Sequence, residues 1–124
     1  MTKALGRQGE DLTAQHYAKQ GYKLVERNYI FPYGKQVGEI DLIFEKNQEL
    51  VFVEVKTRTS AKFGGPFEAV DFYKQRKLVK TAKLFLRLFP KFREYNFRID
   101  VAAVDIDNPT QPVIILMNAI EDLD

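Results

Sequence analysis

Gly38-Glu39-Ile40-Asp41-Leu42-Ile43-Phe44 and Leu50-Val51-Phe52-Val53-Glu54-Val55-Lys56 read as the two arms of one β-hairpin. Both are rich in Val, Ile, Leu and Phe, which fit a pleated surface, and the polar run Glu45-Lys46-Asn47-Gln48-Glu49 between them suits a turn. A turn centred on Asn47-Gln48 sets Asp41 opposite Glu54 and Glu39 opposite Lys56. Directly opposed residues project to the same side and side chains alternate, so these four charges share one face. The other face carries Ile40, Leu42, Phe44, Val51, Val53 and Val55 and is expected to be the core face. Ile43 and Phe52 oppose each other between the turn and the acid pair, which confines the charges to the open end of the hairpin.

Like charges directly across a strand pair destabilise it, and burial raises the cost. A cation between Asp41 and Glu54 relieves both effects. Two carboxylate donors, with water completing the shell, suit Mg²⁺ or Mn²⁺. Lys56, two residues beyond Glu54, is then placed to orient an attacking water or to stabilise charge developing on a phosphate. The pattern points to a metal-dependent nuclease site. A plainer reading of the same residues is a Glu39–Lys56 surface ion pair, worth about 0–1 kcal/mol, beside an incidental acid pair.

The chain of 124 residues is expected to form one domain spanning 1–124, long enough to bury roughly two-thirds of its unfolded surface. It has no cysteine, which excludes disulfides, thiol catalysis and cysteine-zinc sites. Its one histidine, His16, is expected to be a half-buried helical residue, and histidine-rich metal sites are excluded. The opening Met1 to Glu10 lacks the apolar core of a signal peptide, and the longest aliphatic run, Val113 to Met117, is too short to span a bilayer. A cytoplasmic location without membrane contact is the resulting expectation. The net charge of +2 neither demands nor forbids nucleic acid.

Outward from the hairpin, the pattern predicts a helix from about Lys3 to Gln20, stopped by Gly21. A strand from Tyr22 to Tyr29 and a turn at Phe31-Pro32-Tyr33-Gly34 lead into the hairpin. After a loop at Lys62 to Pro66 comes a second helix from about Asp71 to Phe89, ended by Pro90. Strands at Phe97 to Ile106 and Val113 to Ile120 close an αβββαββ order.

In the first helix Glu10 shares a face with Ala14, Tyr17 and Ala18. It can approach the hairpin acids as a third metal-site carboxylate, or serve as a first-turn acid favoured by the helix dipole. The second helix divides into an apolar stripe, Leu78, Ala82, Phe85, Leu86 and Phe89, and a basic one. Arg76, Lys80, Lys83 and Arg87 form the latter, with Lys74 and Lys77 nearby and no acid between Phe72 and Phe89. Such a one-signed surface suits a polyanion, although a merely solvated face has the same composition. Arg98 and Asp100 share one side of the next strand and are expected to form a structural ion pair. Phe31, Tyr33, Phe63 and Phe67 flank loops, where they can stack on unpaired bases or cap the core.

Gly6-Arg7-Gln8-Gly9-Glu10, Gly21-Tyr22, Arg27-Asn28-Tyr29, Gly38 to Ile43, Val51 to Arg58, Lys74 with Leu78 and Ala82, and Arg98-Ile99-Asp100 resemble the YraN family of small bacterial proteins. The resemblance covers nearly the whole chain in order. It implies an α/β, restriction-endonuclease-like PD-(D/E)xK fold with a central mixed β-sheet flanked by helices, similar to Holliday junction resolvases. It makes Asp41 the motif aspartate, Glu54-Val55-Lys56 the ExK tripeptide and Glu10 the first-helix acid; Ile40 stands where the motif has proline. The implied activity is Mg²⁺- or Mn²⁺-dependent hydrolysis of DNA, with branched or partly single-stranded forms among the substrates. Asp41, Glu54 and Glu10 would serve the metal, Lys56 the attack, and Glu39 would support Lys56. Arg58 and the second-helix cations would hold phosphates. A four-way junction would favour a homodimer, because symmetric cleavage needs two sites. The alternative is a module that keeps the fold and binds nucleic acid or protein without cleaving.

Overall fold

The computed structural model describes residues 2–34, 38–59 and 70–123. Among these, the chain runs α1 (Lys3–Lys19), β1 (Lys23–Ile30), β2 (Glu39–Lys46), β3 (Glu49–Arg58), α2 (Phe72–Leu88), a 3₁₀ turn (Pro90–Phe92), β4 (Asn96–Asp105) and β5 (Val113–Leu116). The order is the αβββαββ that periodicity predicts, and it is consistent with a restriction-endonuclease-like fold. The loop expected at Lys62 to Pro66, with Phe63 and Phe67, lies outside the described residues.

Local chemistry sets the element ends. Thr2 caps α1 by accepting the Leu5 N–H at 3.1 Å. At the other end Gly21 takes φ +90°, and the Gly21 and Tyr22 amides donate back to the Ala18 and Tyr17 carbonyls, a Schellman closure. Tyr22 is consumed by that closure, so β1 starts one residue later than the apolar pattern predicts. The hairpin turns on Asn47 (φ 51°) and Gln48 (φ 63°), both left-handed, as a two-residue type I′ turn requires. β5 is shorter than expected because Asn118 turns left-handed at φ 53° and donates its N–H to Asp100 Oδ1 at 2.8 Å. Ile120 still returns to the core.

The five strands lie in the order β1-β2-β3-β4-β5. β3 and β4 run parallel and are joined through α2, whereas the other neighbours are antiparallel. One correction to the sequence reading concerns the faces. The hairpin has two core faces, because a helix covers each side of the sheet. Tyr17 of α1 packs on Leu42, Phe44, Val51 and Val53, while Leu78 and Phe85 of α2 pack on Ile43, Phe52 and Ile99. Ile43 and Phe52, assigned to the charged face, are therefore fully enclosed. Ile40 joins the α2 layer rather than that of Leu42, so alternation breaks at Asp41.

The buried line of α1 is also displaced from the predicted stripe. It runs Gly9, Thr13, Tyr17, and Ala18 is exposed. Small residues win here because the helix approaches β3 closely: a Cβ on Gly9 would lie 1.9 Å from Thr57 Oγ1. Thr13 can be buried because its hydroxyl donates to the Gly9 carbonyl at 2.8 Å. Glu10 follows Gly9, so the same close approach delivers its carboxylate to the end of β3.

Candidate functional site

The main-chain register between β2 and β3 runs from Lys46↔Glu49 to Leu42↔Val53 and stops there. Asp41 and Glu54, expected to be opposed ladder residues, instead lie where the strands part. Asp41 Oδ2 accepts the Val55 N–H at 2.8 Å, so a side chain takes over the pairing. Glu54 continues the Phe52 side toward α2 and is nearly fully buried, with its carboxyl group in close contact with that of Asp41. Burial, that contact and the Glu54 charge push the Asp41 carboxyl up to about 9, against the pull of the Val55 N–H. Two charges on this acid pair are therefore disfavoured near neutral pH.

Two lysines meet Glu54 Oε2. Lys74 Nζ, from the first turn of α2, lies 2.6 Å away, and Lys56 Nζ lies 3.8 Å away. Burial lowers the Lys56 ammonium below the usual lysine range, assisted by the neighbouring Lys74 and opposed by Glu54. Burial also opposes charge on Lys74, but Glu54, Lys56 and Asp41 together outweigh it and raise the ammonium above the usual lysine range. Glu39 was expected to face Lys56; with the ladder ended, burial, Glu10 and Glu54 raise its carboxyl, and Lys74 opposes them.

Glu10, Glu39, Asp41, Glu54 and Lys74 line one cleft of about 290 Å³. Glu10 is held from outside it by Asn28 Nδ2 at 3.2 Å and the Arg27 guanidinium at 3.6 Å. Arg27 also pairs with Asp11 at 2.8 Å. Among the described residues no group of three or more His, Cys, Asp or Glu side chains is arranged to hold an ion, so Glu10 reaches the cleft without closing a three-acid cage. The donor chemistry nonetheless fits a hard divalent cation. Asp41 and Glu54 both offer carboxylate oxygens to the cleft, and buried Glu54 Oε2 is met by the Lys74 and Lys56 ammonium groups and by no other donor among the described residues. An arriving ion would relieve the repulsion that raises Asp41.

The other predicted residues divide. Arg58 ends β3, two residues beyond Lys56. Of the α2 cations, expected to be unpaired, Lys74 is taken by Glu54, and Lys83 pairs with Asp122 at 2.7 Å. Arg76 donates to the Glu121 carbonyl. The C-terminal segment thus supplies the partners that the helix's own sequence lacks. Lys80 and Arg87 remain exposed, and Lys77 sits over the Tyr73 ring at 4.6 Å. Arg98 Nε lies 3.0 Å from Asp100 Oδ1 and its Nη1 lies 2.6 Å from Glu49; Asp100 is inaccessible and also accepts the Tyr17 hydroxyl at 2.6 Å. His16 is half-buried beside Gln20.

Charge patterning groups Lys74 with the phosphate-binding residues and does not reveal Arg27 and Asn28 as holders of Glu10. Asp71, an N-cap residue three positions before Lys74, was the available signal for the first. The left-handed Asn28 (φ 50°) carries none in a single sequence. Phe31 packs against the core and stands edge-on to the exposed Tyr33 at 5.7 Å. No helix among the described residues is long and apolar enough to cross a membrane.

The family model described as "Uncharacterised protein family UPF0102" matches residues 9–104, from the Gly9–Glu10 approach through β4. A UPF0102 protein of Caldanaerobacter subterraneus is 43% identical over 118 residues, covering 95% of this chain and 92% of its own. One from Syntrophomonas wolfei is 42% identical over 120 residues, covering 96% and 99%, and one from Stutzerimonas stutzeri is 36% identical over 116 residues, covering 94% and 93%. Matched along nearly its whole length, the chain belongs to UPF0102, the YraN family.

Proposed function

We propose that the protein is a divalent-metal-dependent endonuclease that hydrolyses phosphodiester bonds in DNA, including branched or partly unpaired forms. The observation that carries the reading is the contact between Asp41 and nearly buried Glu54 at the point where β2 and β3 separate, inside a cleft shared with Lys74 and Glu10. A carboxylate pair costs stability there unless a cation neutralises it. Asp41 and Glu54 would hold Mg²⁺ or Mn²⁺. The ion's contribution is to activate a water and neutralise phosphoryl charge.

The chain's own groups do the remaining work. Lys56 stands beside Glu54, half-buried, where an ammonium can stabilise charge on a phosphate oxygen. Glu10, steadied by Asn28 and Arg27, holds a carboxylate toward the cleft for a water proton. Next to the cleft, and sharing Glu39 and Lys74 with it, is a hollow of about 340 Å³ bordered by Tyr73 and Lys77. Tyr73 is exposed there with the Lys77 ammonium over its ring, a surface suited to stacking an unpaired base beside a bound phosphate. These features favour DNA with a single-stranded element. A cytoplasmic location and a homodimer fit such a substrate.

Among the described residues no three acids are arranged to hold an ion together, which favours a second reading, a module that binds without cleaving. Incubation of duplex, single-stranded, flap and four-way-junction DNA with the protein and Mg²⁺ or Mn²⁺, beside an Asp41→Ala control, separates the two. Cleavage that needs metal and disappears in the control supports the endonuclease; binding without cleavage on every substrate refutes it.

A further inference from the structure

Lys74 reaches the acid pair from a different element than the tripeptide lysine does. Asp71 caps α2 by accepting the Lys74 N–H at 2.8 Å, which fixes the first turn and the root of the Lys74 side chain. Its ammonium is closer to Glu54 Oε2 than that of Lys56, 2.6 Å against 3.8 Å. Lys74 is also the one that lines the acid cleft with Asp41 and Glu10.

Position makes this contact more than a surface ion pair. Glu54 Oε2 is buried, and an ion held jointly by Asp41 and Glu54 would lie within a few ångström of it. An ammonium already facing that oxygen repels a second cation at such range. The four-carbon stem of lysine lets the group withdraw without moving the helix. We propose that Lys74 is the resident counter-cation of Glu54: it holds the acid pair together without metal and competes with the divalent ion for Glu54 Oε2. Lys74 thereby sets the metal concentration at which the site loads. The inference rests on the metal-site reading above.

The test is calorimetric titration of the full chain with MnCl₂ in the absence of DNA, so that activity plays no part. Wild type is compared with Lys74→Met and Lys74→Gln, which remove the charge, Lys74→Arg, which keeps it, and Lys56→Met, which removes the more distant one. Losing a close ion-pair competitor should tighten Mn²⁺ binding about tenfold in Lys74→Met and Lys74→Gln. Lys74→Arg should stay at or below wild-type affinity, and Lys56→Met should change it less than about threefold. Circular dichroism establishes that each variant is folded; Lys74→Gln carries the comparison if Lys74→Met is not. Binding only after the Lys74 charge is removed would also support the competition. Wild-type binding that is unchanged or weaker in both neutral variants overturns it, as does an equal gain in Lys56→Met. No Mn²⁺ binding by wild type or any variant overturns the metal-site reading together with this one.

Discussion

Asp41→Asn should stabilise the metal-free protein, and by more as pH rises. The folded chain holds the Asp41 proton to about pH 9 because burial and Glu54 disfavour the charge, whereas the unfolded chain releases it near 3.8. Between those values the unfolded state binds fewer protons than the folded state, so wild type loses stability as pH rises. The loss is at most roughly 1.4 kcal/mol per pH unit for one retained proton. From pH 5 to pH 8 the ceiling is roughly 4 kcal/mol, on the order of 10 °C in Tm for a chain of this size. It is a ceiling because strand ends that have already parted can separate further. Asparagine keeps a carbonyl to accept the Val55 N–H and gains an amide to donate to Glu54. Its Tm should therefore lack this fall. The assay is thermal melting of both proteins in EDTA and in excess Mg²⁺ across pH 5–8. Magnesium should raise wild type more than the variant, since only the native wild-type site carries both carboxylates. A variant that melts below wild type in EDTA at pH 8, with equal gains from Mg²⁺, would refute the crowded acid pair.

Lys56→Ala should leave Mn²⁺ affinity within about threefold while lowering cleavage by roughly two orders of magnitude, as expected for a group acting on developing charge; single-turnover cleavage at saturating metal measures it, and wild-type rates would remove Lys56 from the chemistry. Lys80→Gln with Arg87→Gln should reduce the slope of log affinity against log salt for duplex DNA by about 1.8, whereas Lys83→Gln should change it less because Asp122 already holds that ammonium; equal slopes by fluorescence anisotropy would take α2 off the DNA. Arg98→Met should cost roughly 3–5 kcal/mol in urea denaturation, because inaccessible Asp100 loses its cation while keeping the Tyr17 hydroxyl; a loss under about 1 kcal/mol would show that Tyr17 and the Asn118 amide suffice.

Periodicity, caps and turn chemistry were enough to order the elements, because these are local. Thr2 and Gly21 bound α1, Asp71 and Pro90 bound α2, and the Asn47-Gln48 turn sets the register observed from Lys46↔Glu49 to Leu42↔Val53. The same register placed Asp41 and Glu54 near each other, so the heart of the candidate site was legible as an alternation of side chains. What followed Leu42 was not. Strands separate there because a carboxylate accepts the Val55 N–H in place of the next ladder bond, a choice that depends on surroundings brought from elsewhere in the chain. Nor could alternation show that both hairpin faces are cores, since a single sequence records which side chains are apolar and not how many helices cover the sheet. The partners of Glu54, Glu10 and Lys83 come from α2, β1 and the C-terminal segment, and charge patterning within one helix is blind to all of them. Sequence alone thus determined the elements, their order and the acids that meet. Tertiary packing decided which cations meet those acids, because ion pairs form between residues close in space and the pairs that count here are distant in the chain.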